Sequence, residues 1–160
     1  MNFRKAINSD IPKLKEIFYQ NYYKNGGHLA SELSMPKENN IENCYVALEK
    51  NEPIGYAQIY LTVPKEDIHK KYEELDLNNV IYMNQVAVDK AYQNKGVGTY
   101  LYEKIKEHFD GARLSAHVRN INPQSMTFHK KNGFVIVGEY YNDDFYGIKD
   151  YMSYFMLQEK

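Results

Sequence analysis

The stretch from Val80 to Thr99 restricts the fold of this chain more than any other. Val80-Ile81-Tyr82-Met83-Asn84-Gln85-Val86-Ala87-Val88 is an apolar run of strand length. A polar turn follows, Asp89-Lys90-Ala91-Tyr92-Gln93-Asn94-Lys95, and then Gly96-Val97-Gly98-Thr99 opens a helix predicted to reach His108. Tyr100, Leu101, Ile105 and Phe109 fall near one stripe of that helix. The next apolar run, Leu114–Val118, reads as a second strand. A helical crossover between two strands predicts that they run parallel.

The flanking sequence adds antiparallel elements. Asn2–Ile7 alternates like a strand, and Ser9 is the expected N-cap of a helix with Ile11, Leu14, Ile17 and Phe18 at helical spacing. Asn25-Gly26-Gly27 should break it. Residues 28–40 read as a polar connection with a short helix around Ala30–Leu33. Cys44–Glu49 and Ile54–Leu61 read as a hairpin around Lys50-Asn51-Glu52-Pro53, and Glu66–Leu75 as a charged helical insert. Pro123–Asn132 should be a helix stopped at Gly133. Phe134–Tyr140 and Asp150–Leu157 should close the fold as an antiparallel pair around a polar loop. The expected class is α/β: a mixed sheet with helices on both faces, in one domain over residues 1–160.

A chain of 160 residues suits one domain, and at that size roughly 70% of the unfolded surface is buried. Stability then needs no disulfide or metal. The single cysteine, Cys44, rules out an internal disulfide, and its strand position makes it a core residue rather than a nucleophile. The five histidines show no paired ligand spacing, so no metal is expected. A formal net charge of −1 argues against nucleic acid or an anionic membrane as electrostatic partner. The opening residues lack the apolar region of a secretory signal, and no apolar run approaches the ~20 residues that span a bilayer. A cytoplasmic location is the expectation.

The glycine turn carries the chemistry. The first amides of a helix have no internal acceptor and carry the positive end of its dipole. Glycines remove the Cβ atoms that would hold a phosphate away, and Lys95 adds a mobile positive charge. Two familiar nucleotide patterns fail. A triphosphate loop needs Lys followed by Ser or Thr after its second glycine, and a dinucleotide fingerprint needs a third glycine and an acidic residue after the next strand. Here Val97-Gly98-Thr99-Tyr100 and Val118-Arg119-Asn120 stand at those places. Two glycines alone also fit an ordinary tight turn.

Gln93-Asn94-Lys95-Gly96-Val97-Gly98 resembles the Q/R-x-x-G-x-G/A loop of the GCN5-related N-acetyltransferases (GNAT family). Val118, Asn122, Ser125, Phe128, Lys131, Gly133 and Phe134 match that family's second stretch at the right distance. The resemblance implies an acetyl-CoA-dependent acyltransferase with its two central parallel strands splayed apart. It implies that the pantetheine arm adds beside Val86, Ala87 and Val88. The amides of Gln93, Asn94, Lys95, Gly96, Val97, Gly98 and Thr99 would hold the pyrophosphate. It places Asn122, Ser125, Phe128 and Lys131 among the cofactor-binding residues.

Catalytic carry-over is incomplete. His129 stands where the family usually has a tyrosine acid, and an upward-tuned imidazole could protonate the leaving thiolate. Its other reading is a helix-turn cap or a cofactor contact. Where many members place a carboxylate base, this chain has Asn84 and Gln85, and neither accepts a proton. Strand alternation puts Asn84 on the face of Val86 and Val88, with Gln85 opposite, so Asn84 is expected to hold a water or the acceptor. His117, Glu32 and Asp144 are alternative bases.

Of 16 tyrosines, Tyr140, Tyr141, Tyr146, Tyr151 and Tyr154 cluster near the C-terminus, and Tyr19, Tyr22 and Tyr23 end the first helix. These regions coincide with the family's acceptor-gripping segments, residues 21–35 and 140–151, where Asp143, Asp144 and Asp150 would suit a primary amine. Core edge, dimer surface and solvated turn are the competing readings, and dimers through the last strands are common in this family. Two other functions stay open: a non-catalytic acyl-CoA sensor or interaction domain, and a peptide- or polyamine-binding module using the tyrosines alone.

Overall fold

The computed structural model describes residues 1–24, 27–28, 34–64, 75–145 and 148–160; for 23–24, 27–28, 140–145 and 148–151 it describes the backbone only. In chain order the elements are β1 (Asn2–Lys5), α1 (Ile11–Tyr22), β2 (Tyr23–Lys24), β3 (Gly27–His28), β4 (Cys44–Glu49), β5 (Glu52–Tyr60), β6 (Val80–Val88), α2 (Val97–His108), β7 (Arg113–Arg119), α3 (Pro123–Lys131), β8 (Phe134–Phe145) and β9 (Ile148–Gln158). The strands hydrogen-bond in the order β1-β4-β5-β6-β7-β9-β8, with β2 and β3 as a separate short hairpin. The result is the mixed α/β class expected from the sequence. The contacts form two compact units, Met1–Ile59 with Asn84–Phe109, and Tyr60–Met83 with Asp110–Lys160.

In the first unit, α1 buries Ile11, Leu14, Ile17 and Phe18. Ile11, Leu14 and Ile17 pack with Cys44, Val46, Leu48, Tyr56 and Ala87. The helix entry is held by Asp10 and not by Ser9. A 3-10 turn over Asn8–Asp10 moves the useful acceptor one residue on. There the Asp10 carboxylate accepts from the Ile7 amide (2.9 Å) and receives both ends of the Arg4 guanidinium (2.7 and 3.0 Å). The β4–β5 turn is also tighter than expected. Lys50 and Asn51 both take positive φ (50° and 66°), the geometry of a two-residue hairpin turn, so Glu52 and Pro53 belong to β5. Pro53 is tolerated in the strand because the register shifts opposite it, between Ala47 and Leu48. Gly55 has a different role. A Cβ there would lie 3.0 Å from Val97 Cγ1 and 3.2 Å from the Ala87 carbonyl, so glycine lets α2 settle close to β5.

In the second unit, Val80, Ile81 and Tyr82 pair in parallel with Arg113, Leu114 and Ser115, as the crossover requires. Antiparallel β9 lies between β7 and β8. The segment expected as a polar loop is mostly ladder: Asn142 pairs with Tyr151 and Asp144 with Lys149, leaving only residues 146–147 between the strands. Ladder bonds belong to the backbone, so polar side chains did not end the strands. Leu114, Ala116, Val118, Phe134, Phe155, Met156 and Leu157 form the buried interior here. Gln158 ties it off by accepting from the Leu114 amide (3.1 Å) and donating to the Asn132 carbonyl (3.0 Å).

The helix expected around Ala30–Leu33 and nearly all of the Glu66–Leu75 insert lie outside the described residues. Among the described residues no helix is long and apolar enough to cross a membrane.

Candidate active site

The end of β6 and the turn after it form a candidate site within the first unit. Gln85 and Ala87 are buried, while Asn84, Val86 and Val88 are half-buried, matching the alternation read from sequence. Gln85 belongs to the core of the first unit. It accepts from the Tyr56 hydroxyl (2.5 Å) and donates to Ser34 Oγ (3.1 Å). The Asp89 amide donates to the Ile54 carbonyl of β5 (2.9 Å). Alternate residues of a strand turn their N–H and C=O groups to opposite edges. Val86 and Val88 therefore present theirs at the edge away from β5.

Side chains of α1, missed in the sequence reading, reach that edge. Tyr22 OH donates to the Val86 carbonyl (2.8 Å), and Asn21 Nδ2 donates to the Val88 carbonyl (3.0 Å). Gln93 Nε2 donates to the same Val88 carbonyl and to Asn21 Oδ1, both at 3.2 Å. The Gln93 side chain is thus occupied locally. Gln20 Oε1 accepts from the Lys90 amide (2.9 Å). Helical spacing gave α1 its apolar face; the polar pairs cross about 65–70 residues of sequence and leave no local pattern to read.

The turn after β6 is preorganised. Asp89 accepts from the Ala91 amide (2.9 Å) and pairs with Lys13 (2.7 Å). Burial pushes the Asp89 carboxyl up, but Lys13 and the Ala91 amide outweigh it and hold it below the ordinary range. Asn94 (φ 60°) and Gly96 (φ 82°) both adopt the left-handed conformation. Gly96 caps α2 without any side-chain cap, and the first helical bond is Tyr100 N–H to the Gly96 carbonyl (2.9 Å). The amides of Val97, Gly98 and Thr99 therefore precede the first amide with an intrahelical acceptor. A Cβ on Gly96 would meet nothing within 4 Å, so the loop's outer face is open. Lys95 Nζ stands 5.5 Å over the Tyr92 ring. Uncapped amides, an open glycine and an exposed cation fit the diphosphate of an acyl-CoA.

The other residues singled out in the sequence lie on α3, in the second unit. Asn122 Oδ1 accepts from the Ser125 amide (3.1 Å) as the N-cap, a structural duty beside the cofactor contact implied by the resemblance. Phe128 is half-buried and Lys131 exposed. His129 is buried, edge-on to Phe134 (4.9 Å between centroids) and to Phe128 (5.3 Å). Its Nδ1 lies 2.7 Å from the Ser125 carbonyl. A carbonyl only accepts, so Nδ1 carries the proton. Burial pushes the His129 pKa down, and the Ser125 hydrogen bond only partly opposes it. The upward tuning expected from sequence is replaced by the reverse, because burial of the imidazole outweighs the Ser125 hydrogen bond.

His117, an alternative base in the sequence reading, lies half-buried on β7 with Nδ1 2.7 Å from Tyr82 OH. Tyr82 stacks on Tyr60 with centroids 6.0 Å apart. The parallel register could have revealed this pair, since Tyr82 lies opposite Ser115, two residues short of His117. Cys44 is fully buried. Desolvation, reinforced by the Asp10 charge, pushes its thiol up to about 12, which keeps it protonated. Glu32 and the side chains of Asp143, Asp144, Asp150, Tyr140, Tyr141, Tyr146 and Tyr151 lie outside the described set; Tyr154 is half-buried.

A sequence model described as the acetyltransferase (GNAT) family matches residues 11–134. No curated protein matches the chain significantly in sequence. Among solved structures, the fold is similar to a ribosomal-protein-alanine N-acetyltransferase from Brucella melitensis (TM-score 0.70, 19% identity, 99% of each chain covered). It is also similar to smu.2055 from Streptococcus mutans UA159 (TM-score 0.76, 17% identity, 99% of each chain). A third is Arabidopsis thaliana NAA60 in complex with acetyl-CoA (TM-score 0.72, 18% identity, 98% of this chain and 97% of that one). With its family motif matched over most of its length and its strand–glycine turn–helix built as that motif requires, the chain belongs to the acetyltransferase (GNAT) family, acyltransferases whose cosubstrate is acetyl-CoA.

Proposed function

We propose that the chain moves an acetyl group from acetyl-CoA to a primary amine of a small molecule or peptide by direct transfer. The observation that carries this reading is the uncapped N-terminus of α2 behind the open, left-handed Gly96, directly after the outward-facing edge of β6. The likeness in fold to NAA60, solved with acetyl-CoA and with a bisubstrate analogue, supports both the donor and the direct route.

Acetyl-CoA supplies an activated thioester. The chain's own residues have separate tasks. The amides from Gln93 to Thr99, with Lys95, hold the diphosphate. The Val86 N–H polarises the acyl carbonyl. Asn84, half-buried on the same face, orders a water or the acceptor amine. His129 delivers a proton to the departing sulfur. Because burial holds its imidazole neutral near pH 7, that proton must arrive during turnover, and the acceptor amine releases one as it acylates.

The test pairs two measurements: calorimetric titration with acetyl-CoA and thiol release across a panel of primary amines. Binding with turnover of at least one amine is expected. Absence of binding at millimolar ligand overturns the transferase reading. Binding without turnover of any amine replaces it with a non-catalytic acyl-CoA sensor.

A further inference from the structure

The last turn of α1 does more than fill space. Three consecutive side chains, Gln20, Asn21 and Tyr22, each meet a backbone group of the segment from Val86 to Lys90. A helix packed for burial alone would not place three polar side chains on backbone acceptors and donors in succession. The two carbonyls they reach are those of Val86 and Val88, at the edge of β6 turned away from β5.

These two carbonyls are not equivalent. The Val88 oxygen receives Asn21 and Gln93, two donors for two lone pairs. Among the described residues, the Val86 oxygen receives Tyr22 OH alone, which leaves its second lone pair open. An extended chain adding along this edge would therefore find, among the described residues, the Val86 carbonyl with spare acceptor capacity. That shared acceptor is oriented by Tyr22. The Tyr22 ring is itself fixed, half-buried against the core of the first unit and 5.3 Å from the Phe18 ring.

Resting on the acyltransferase reading, we propose that Tyr22 is a positioning residue for the acyl donor. Its hydroxyl fixes the Val86 carbonyl, and so the whole edge at Val86, in the orientation that receives the amide-bearing arm of acetyl-CoA. Tyr22 also ends α1 at the start of residues 21–35, the segment that the family resemblance assigns to the acceptor. One side chain thus joins the strand that meets the donor to the start of that segment.

The experiment uses Tyr22→Phe in the full chain, which removes one oxygen and leaves the ring. Acetyl-CoA affinity is measured by calorimetry, with thermal unfolding followed in parallel. The expected result is a Kd raised five- to tenfold with the binding-competent fraction unchanged. The KM for acetyl-CoA should rise more than kcat falls. A merely structural role would lower Tm or the competent fraction and leave Kd and KM where they were. Kd is fitted on the folded fraction below Tm, so an unaltered Kd overturns the proposal even if the variant melts early. Asn21→Ala serves as the comparison: it frees a lone pair on Val88, and it should weaken binding less than Tyr22→Phe. An equal or larger loss assigns the effect to general loosening of α1 and overturns Tyr22's special role. If the wild type itself does not bind acetyl-CoA, the acyltransferase reading fails first.

Discussion

The turn at Gly96 and the surroundings of His129 are built on opposite principles. At Gly96 the proposed functional groups are backbone amides, and nearby side chains hold the backbone: Asp89 accepts from the Ala91 amide, Gln93 donates to the Val88 carbonyl, and Lys13 pairs with Asp89. At His129 the proposed functional group is a side chain, and the surroundings decide what it can do. Burial pushes the imidazole pKa down, and the Ser125 carbonyl fixes its tautomer. A backbone site is specified by local conformation. A side-chain site is specified by neighbours that sequence does not place.

Gly96→Glu strikes the backbone site hardest. It sets a carboxylate where the diphosphate would lie and forces a non-glycine residue to φ 82°. Acetyl-CoA binding should vanish at millimolar ligand while circular dichroism still reports a fold; unchanged affinity would break the cradle assignment. At the side-chain site, His129→Phe should lower kcat by about 100-fold with acetyl-CoA affinity little altered, the usual scale for losing a general acid. His129→Tyr, which restores the family's usual residue, should recover most of that loss. Equal activity of all three forms removes the proton-donor role from position 129.

Two smaller effects concern what supports the sites. Gln85→Leu leaves the fully buried Tyr56 hydroxyl without its acceptor. The cost is about 1–3 kcal/mol, a Tm lower by roughly 3–10 °C. The Arg4–Asp10 pair contributes to the acid limb of stability. Burial raises the Asp10 pKa, but Arg4 and the Ile7 amide lower it further, so the net shift is downward. The folded-state pKa then lies below the unfolded value of about 3.9. The pair's contribution is full above that value and is lost as pH falls through the folded pKa. Asp10→Asn should therefore lower Tm at pH 7 and flatten its fall below pH 4; an unchanged acid limb would show that other carboxylates set it.

The same division explains what the sequence disclosed. β6, α2 and α3 were legible almost to the residue because an apolar run, a helical apolar stripe and the glycines at Gly96 and Gly133 are local signals. The Gly96 loop was legible for the same reason. Three local readings failed where a neighbour intervened. Asp10 displaced Ser9 at the start of α1 because Arg4 was available to fix it. Pro53 entered a strand because a register shift made room. The polar stretch before Asp150 became ladder because a backbone partner was already in register. At the site, the downward shift of His129, the Tyr82–His117 bond and the Tyr22 contact all depend on pairings between distant positions or on burial, which no spacing rule encodes.

Amide hydrogen exchange with and without acetyl-CoA tests the backbone cradle most directly. The amides of Val97, Gly98 and Thr99, which have no intrahelical acceptor, should exchange quickly in the free protein and become protected when acetyl-CoA binds. Saturable binding that leaves these three amides exchanging at their free rates would contradict the assignment of the α2 N-terminus as the diphosphate site.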